Sequence, residues 1–160
     1  MVVIKVKIEI PNYNTFDIKK IAFDFNGTLA TGGKVPDEII KKLEKLAIHY
    51  DVYILTADTF GTVREMVDGL AIEVAIIEGE DGTGYKRDFI RNLGSDETIA
   101  IGNGNNDRLM VKEAAIGIAL IGNEGAALDT ILNSDLVISD IYDVFDILEE
   151  PARLIASLRK

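Results

Sequence analysis

IAFDFNGTLA, residues 21–30, is the stretch on which the fold turns. Its first five residues form a nearly continuous apolar run broken only by Asp24, and Asn26-Gly27 follows as a turn pair. An apolar run without period-two alternation reads as a strand buried on both faces, the kind found in parallel sheets. Five more such runs lie downstream: VYILT (52–56), EVAII (73–77), TIAIG (98–102), IGIALI (116–121) and DLVIS (135–139).

Helical spacing fills the gaps. In residues 36–50, Ile39, Leu43, Leu46 and Ala47 make one stripe, with Pro36 near the start. Residues 62–70, 85–94, 105–114 and 124–133 read the same way, and 142–160 gives two helical pieces divided by Pro151. Strands alternating with helices imply right-handed crossovers and a doubly wound, Rossmann-like parallel sheet in three α/β/α layers. Upstream the rhythm differs. Val2, Ile4, Val6, Ile8 and Ile10 fall on one face with Lys5, Lys7 and Glu9 on the other, a half-buried strand, and the turn at 11–14 makes it one arm of an edge hairpin. The expectation is one domain over 1–160, with a hairpin extension (1–20), a core (21–147) and a last helix (148–160).

Composition narrows the function. The formal net charge of −10 argues against nucleic-acid binding, which needs clustered Lys and Arg. No apolar run approaches a membrane span, and lysines interrupt the N-terminal apolar residues where a signal peptide would be continuous. The chain has no cysteine, which removes disulfides and thiolate metal sites and fits a reducing, cytoplasmic setting.

Ligands of doubly wound sheets bind beyond the carboxyl ends of the strands. Those ends here read Asp24-Phe25-Asn26-Gly27-Thr28, Thr56-Ala57-Asp58 and the cluster from Gly102 to Asp107, while a loop marked by Gly79, Gly82 and Gly84 delivers Lys86. Taken singly, these are a turn, a helix cap and a solvated lysine. Together they have a chemical logic. A carboxylate can attack phosphorus, and a hydroxyl and an ammonium can hold the phosphoryl oxygens. Backbone N–H groups of glycine-rich turns add anion contacts, and Mg²⁺ suits an oxygen-lined site. The single histidine, His49, falls in a helical segment and offers no rival site.

At these residues the chain resembles the haloacid dehalogenase superfamily of phosphohydrolases and phosphotransferases. DFNGTLA, ILT, Lys86 and GNGNNDRLM resemble its four motifs in order, and Thr56-Ala57-Asp58 with the stretch 114–138 resembles the phosphorylation domain of P-type ATPases. The resemblance implies Asp24 as nucleophile, Thr56 and Lys86 as phosphate ligands assisted by Asn26, Gly27 and Ala57, and a Mg²⁺ site of Asp24, the Asn26 carbonyl, Asn103 and Asp107. Two positions depart from the family pattern. Asn26 stands where family phosphatases carry an acid/base Asp, and an amide has no proton to exchange near neutral pH. Its absence should slow breakdown of the intermediate by about 10²–10⁴-fold. Asn103 stands where the fourth motif normally has Asp, which implies weaker metal binding. Both asparagines precede glycine, a pairing prone to deamidation.

Residues 26–36 and 78–85 are too short to hold a cap domain, so the site is expected to be open. A large or macromolecular phosphorylated substrate, or a neighbouring copy in a homo-oligomer, would supply the missing wall. The N-terminal hairpin is a candidate for that contact, although covering a sheet edge within its own chain is the plainer role. Two other readings fit parts of the pattern: a regulatory module that binds phosphate or Mg²⁺ with weak or no turnover, and a flavodoxin- or receiver-type fold, which accounts poorly for residues 102–107.

Overall fold

The two apolar patterns fold as two kinds of sheet. The alternating stretch gives an antiparallel hairpin, Val6–Ile10 (β1) and Asn14–Ile18 (β2). The continuous runs give six parallel strands: Lys20–Asp24 (β3), Asp51–Thr56 (β4), Ile72–Ile76 (β5), Thr98–Gly102 (β6), Ile116–Leu120 (β7) and Leu136–Ile138 (β8). They stand in the order β5-β4-β3-β6-β7-β8 in this computed structural model, which describes residues 6–58 and 60–160. Val2 and Ile4 of the alternating run lie outside the described residues. Chain progression runs outward from β3 in one direction and from β6 in the other. The switch point therefore falls between β3 and β6, where such sheets bind ligands.

The described residues form seven α-helices: Asp37–Leu46 (α1), Thr62–Met66 (α2), Gly82–Leu93 (α3), Arg108–Glu113 (α4), Leu128–Asn133 (α5), Ile141–Glu149 (α6) and Ala152–Leu158 (α7). The two faces differ in side-chain size. Ile21, Phe23, Ile99 and Ile101 point to the larger core, where Phe23 stacks on Phe145 of α6 with ring centroids 5.5 Å apart. Ala22 and Ala100 point to the smaller core with Ile90 of α3 and Met110 of α4. Alanine at the middle of two central strands lets α3 and α4 lie close to the sheet, and α3 carries Lys86.

Four expectations need correction. The hairpin is a sheet of its own and covers no strand edge. It sits at the amino ends of the parallel strands, tied by Lys19 N–H to the Glu97 carbonyl (3.0 Å) and by the Tyr13 hydroxyl to Asp135 (3.1 Å). Its buried residues Ile8, Ile10, Phe16 and Ile18 close that end of the larger core. That is the end opposite Asp24, so it does not wall the site of its own chain. The helix carrying Lys86 begins at Gly82 rather than 85, because Asp81 caps it by accepting from Gly84 N–H at 2.9 Å. The helix expected over 124–133 begins only at Leu128, and the one expected over 105–114 opens with a single 3-10 turn, Asn105–Asp107.

Candidate active site

Asp24 is the last residue of β3, level with Leu55 of β4. The chain then folds tightly: the Phe25 carbonyl accepts from the amides of Thr28, Leu29 and Ala30. This turn aims the Thr28 hydroxyl back at Asp24, where it donates to Oδ2 at 3.2 Å. Gly27 is at φ +80°, and a Cβ there would lie 2.3 Å from Asn103 Nδ2, so only glycine lets the two loops meet this closely.

Lys86 reaches the same point from the second turn of α3. Only 1% exposed, its ammonium donates to Asp24 Oδ1 at 2.6 Å and to Asp107 Oδ1 at 2.5 Å. Asp107 is fully buried, and its Oδ2 accepts from the amides of Asn103 and Gly104, each at 3.0 Å. A Cβ on Gly102 would come within 2.6 Å of the Asp107 side chain, which explains glycine at the end of β6.

Two carboxylates and one ammonium thus share a buried site. Burial and the charge of Asp107 push the Asp24 carboxyl up to about 7, against the pull of Lys86 and Thr28. For Lys86, burial works against the charged form, but Asp24 and Asp107 outweigh it and hold the ammonium above its ordinary range. A buried ion pair is weak evidence for stability, whereas perturbed groups gathered at a switch point are what a functional site looks like.

The remaining expected residues divide. Thr56, at the end of β4, is buried, and its hydroxyl accepts from Asp58 N–H at 3.1 Å, which leaves its own proton free to donate. Asp58 in turn accepts from the amides of Phe60 (2.9 Å) and Val63 (3.4 Å), contacts that hold its carboxyl below the usual range. Asn26 and Ala57 are exposed at the mouth. The Gly27 amide, expected on phosphate, donates instead to the Ala30 carbonyl at 2.8 Å. That bond, and the one from Gly104 N–H to Asp107, also engage the two nitrogens that would have to attack Asn26 and Asn103 in deamidation, so the fold holds that reaction back.

Asn103 serves three loops at once. Its Nδ2 donates to the Gly125 carbonyl at 3.1 Å, its Oδ1 faces the Thr28 hydroxyl at 3.4 Å, and its backbone carbonyl accepts from Ala127 N–H at 2.8 Å. Thr28 was absent from the expected residues. Its position four residues after Asp24 in a tight loop was the available signal.

Among the described residues no group of three or more Asp, Glu, His or Cys side chains is placed to hold a metal. A cation would rest on Asp24 and on neutral oxygens, the Asn26 carbonyl and Asn103 Oδ1. All are hard donors that fit a divalent ion such as magnesium. Asp107, expected as a ligand, has its oxygens engaged by Lys86 and by the amides of Asn103 and Gly104, just as those of Asp24 are engaged by Lys86 and Thr28.

Solved structures share this architecture. The 3-deoxy-D-manno-octulosonate 8-phosphate phosphatase of Moraxella catarrhalis, crystallised with magnesium and phosphate ions, superposes with a TM-score of 0.67 at 19% identity, over 89% of this chain and 94% of that one. The fold is that of the haloacid dehalogenase superfamily. The catalytic domain of a CPx-ATPase shares this haloacid dehalogenase fold with a TM-score of 0.57 at 23% identity, over 69% of this chain and 44% of that one. Among curated proteins, two from Methanocaldococcus jannaschii are similar. One is uncharacterised, 56% identical over 61 residues, 38% of this chain and 66% of that one. The other is named a soluble P-type ATPase-like phosphatase, 28% identical over 128 residues, 77% of this chain and 46% of that one. The chain thus spans less than half of the named relative. No family model matches it. Among the described residues no helix is long and apolar enough to cross a membrane.

Proposed function

We propose that the chain is a magnesium-dependent phosphohydrolase or phosphotransferase that works through an aspartyl-phosphate on Asp24, and that it turns over slowly. The observation that carries this reading is the strand-end carboxylate of Asp24 gripped on one oxygen by Lys86 and on the other by Thr28. The similarity to a named phosphatase and to a magnesium- and phosphate-bound one supports it.

An Asp24 oxygen attacks phosphorus, and the bond from phosphorus to the leaving oxygen breaks, its electron pair departing with that oxygen. The Lys86 ammonium and the Thr56 hydroxyl hold the phosphoryl oxygens. Asn26 has no proton to give, so the leaving group takes one from solvent. Water then attacks the phosphoryl group, loses its proton to solvent, and Asp24 is released. A bound Mg²⁺, held by Asp24, the Asn26 carbonyl and Asn103 with Asp107 behind them, would offset charge between carboxylate and phosphate. The short connections after β3 and β5 leave the site open to a large phosphorylated substrate, and the lack of cysteine supports a cytoplasmic setting.

Incubation with Mg²⁺ and acetyl phosphate, with intact mass and released phosphate followed together, tests this. Adduct and release that both vanish in Asp24→Ala are the expected result. Release that survives in Asp24→Ala, or neither signal in the wild type, would sink it. The exposed amide of Asn26 favours one second reading, a regulatory module whose signature is a lasting adduct without release.

A further inference from the structure

We infer that Phe60 holds the leaving group of the substrate, and that this group carries an aromatic ring without further negative charge; this rests on the phosphoryl-transfer reading of Asp24. Phe60 is 92% exposed, the most exposed large apolar residue described. Single exposed apolar side chains are ordinary on protein surfaces, so the argument lies in where this one stands and how it is held.

Phe60 follows β4, the strand beside β3, and lies four residues beyond Thr56. Four residues span at most about 14 Å, and hydrogen bonds fold this segment back. The Asp58 amide donates to Thr56 Oγ1 (3.1 Å), and the Phe60 amide donates to Asp58 Oδ1 (2.9 Å). The backbone of Phe60 is therefore tied, through the carboxylate and then the amide of Asp58, to the hydroxyl that faces the phosphoryl group, while its ring stands in solvent. Of the other exposed large apolar residues, Tyr13 and Ile48 are at the amino ends of the strands and Leu132 and Val137 lie in α5 and β8, while Ile121 and Leu128 stand at the carboxyl edge too, after β7, on the far side of β6 from β3 and β4.

Among the described residues the connections after β3 and β5 are short, so the part of the substrate beyond the phosphate meets what the sheet edge presents. A flat aromatic face there is matched by a flat partner. Stacking of that kind is worth about a three- to tenfold gain in affinity. The Asp58 carboxylate beside the ring, held in its charged form by the Phe60 and Val63 amides, repels any second anionic group on the leaving side.

Phosphonates that cannot be hydrolysed separate this inference from the catalytic one. Binding of methylphosphonate, phenylphosphonate, an uncharged-base nucleoside 5′-phosphonate and inorganic phosphate is measured by calorimetry with Mg²⁺ present. The two ring compounds place the ring at two distances from phosphorus. At least one should bind three- to tenfold more tightly than methylphosphonate, an advantage that Phe60→Ala removes and Phe60→Leu keeps in part. The inference is overturned if neither ring compound outbinds methylphosphonate, or if the advantage survives in Phe60→Ala, while phosphate still binds. If neither phosphate nor any phosphonate binds, the reading of the site itself falls, and this one with it.

Discussion

Lys86 puts a single ammonium between two buried carboxylates, and its removal would leave Asp24 and Asp107 facing each other with no counter-charge. Breaking a buried pair from one side costs about 3–5 kcal/mol, whereas removing both partners costs much less. Lys86→Met should therefore lose stability of that order in urea unfolding at pH 8, and adding Asp24→Asn should restore part of it. A double variant no more stable than Lys86→Met would show that the pair is not coupled. Asn26 bears on rate instead of stability, since it is exposed. Asn26→Asp should speed release of phosphate from preformed phosphoenzyme by about 10²–10⁴-fold, followed by quenched-flow mass analysis. An unchanged rate would mean that proton transfer at this position does not limit breakdown. That Asp24, Lys86 and Asp107 would meet was legible in the sequence, because the connections of a parallel sheet gather at the carboxyl ends of its strands. Thr28 and the double grip of Lys86 were not, since they depend on how tightly residues 25–30 turn and how closely α3 approaches Ala22 and Ala100.

Strands were easier to read than what surrounds them. All six continuous runs became parallel strands within a residue or two, because burial on both faces leaves a plain compositional trace. The hairpin was found, but its place was not, since an alternating face such as that of Ile8, Ile10, Phe16 and Ile18 fits any apolar surface. The helix ahead of Leu128 was misread because Gly125 is at φ +75° and Ala127 is extended, a shape the Asn103 contacts maintain. One inter-element tie carries a pH prediction. The hydroxyl of Tyr50, the residue before β4, donates to the Leu148 carbonyl of α6 at 3.0 Å, and burial pushes its pKa up to about 12 from an ordinary 10.0. The raised value means the folded state keeps a proton that the unfolded state gives up above pH 10. Stability from this group is complete below pH 10 and is lost as pH rises through 12. Tyr50→Phe should flatten that fall in denaturant titrations between pH 9.5 and 12; a slope equal to wild type would exclude Tyr50 as its source.

At the scale of the whole molecule, a net charge of −10 and a site built around two carboxylates respond to cations in two separable ways. Like charges spread over the surface repel one another and disfavour the compact state, and salt screens them over about 10 Å at 0.1 M. Raising NaCl from 10 to 300 mM should therefore raise the melting temperature, and any divalent salt at equal ionic strength should do at least as much. A cation seated at Asp24 acts differently, because it binds the folded state alone and stabilises by RT ln(1 + [L]/Kd), about 2.7 kcal/mol at one hundred times Kd. That part should appear at low millimolar MgCl₂ against a background of 300 mM NaCl, where screening has already saturated. Asp24→Asn removes the carboxylate proposed to take the ion while leaving the surface charge almost as it was, so it should abolish the magnesium-specific rise and keep the sodium-dependent one. A magnesium rise of the same size in both proteins would place the cation on the acidic surface and leave the strand-end site without one.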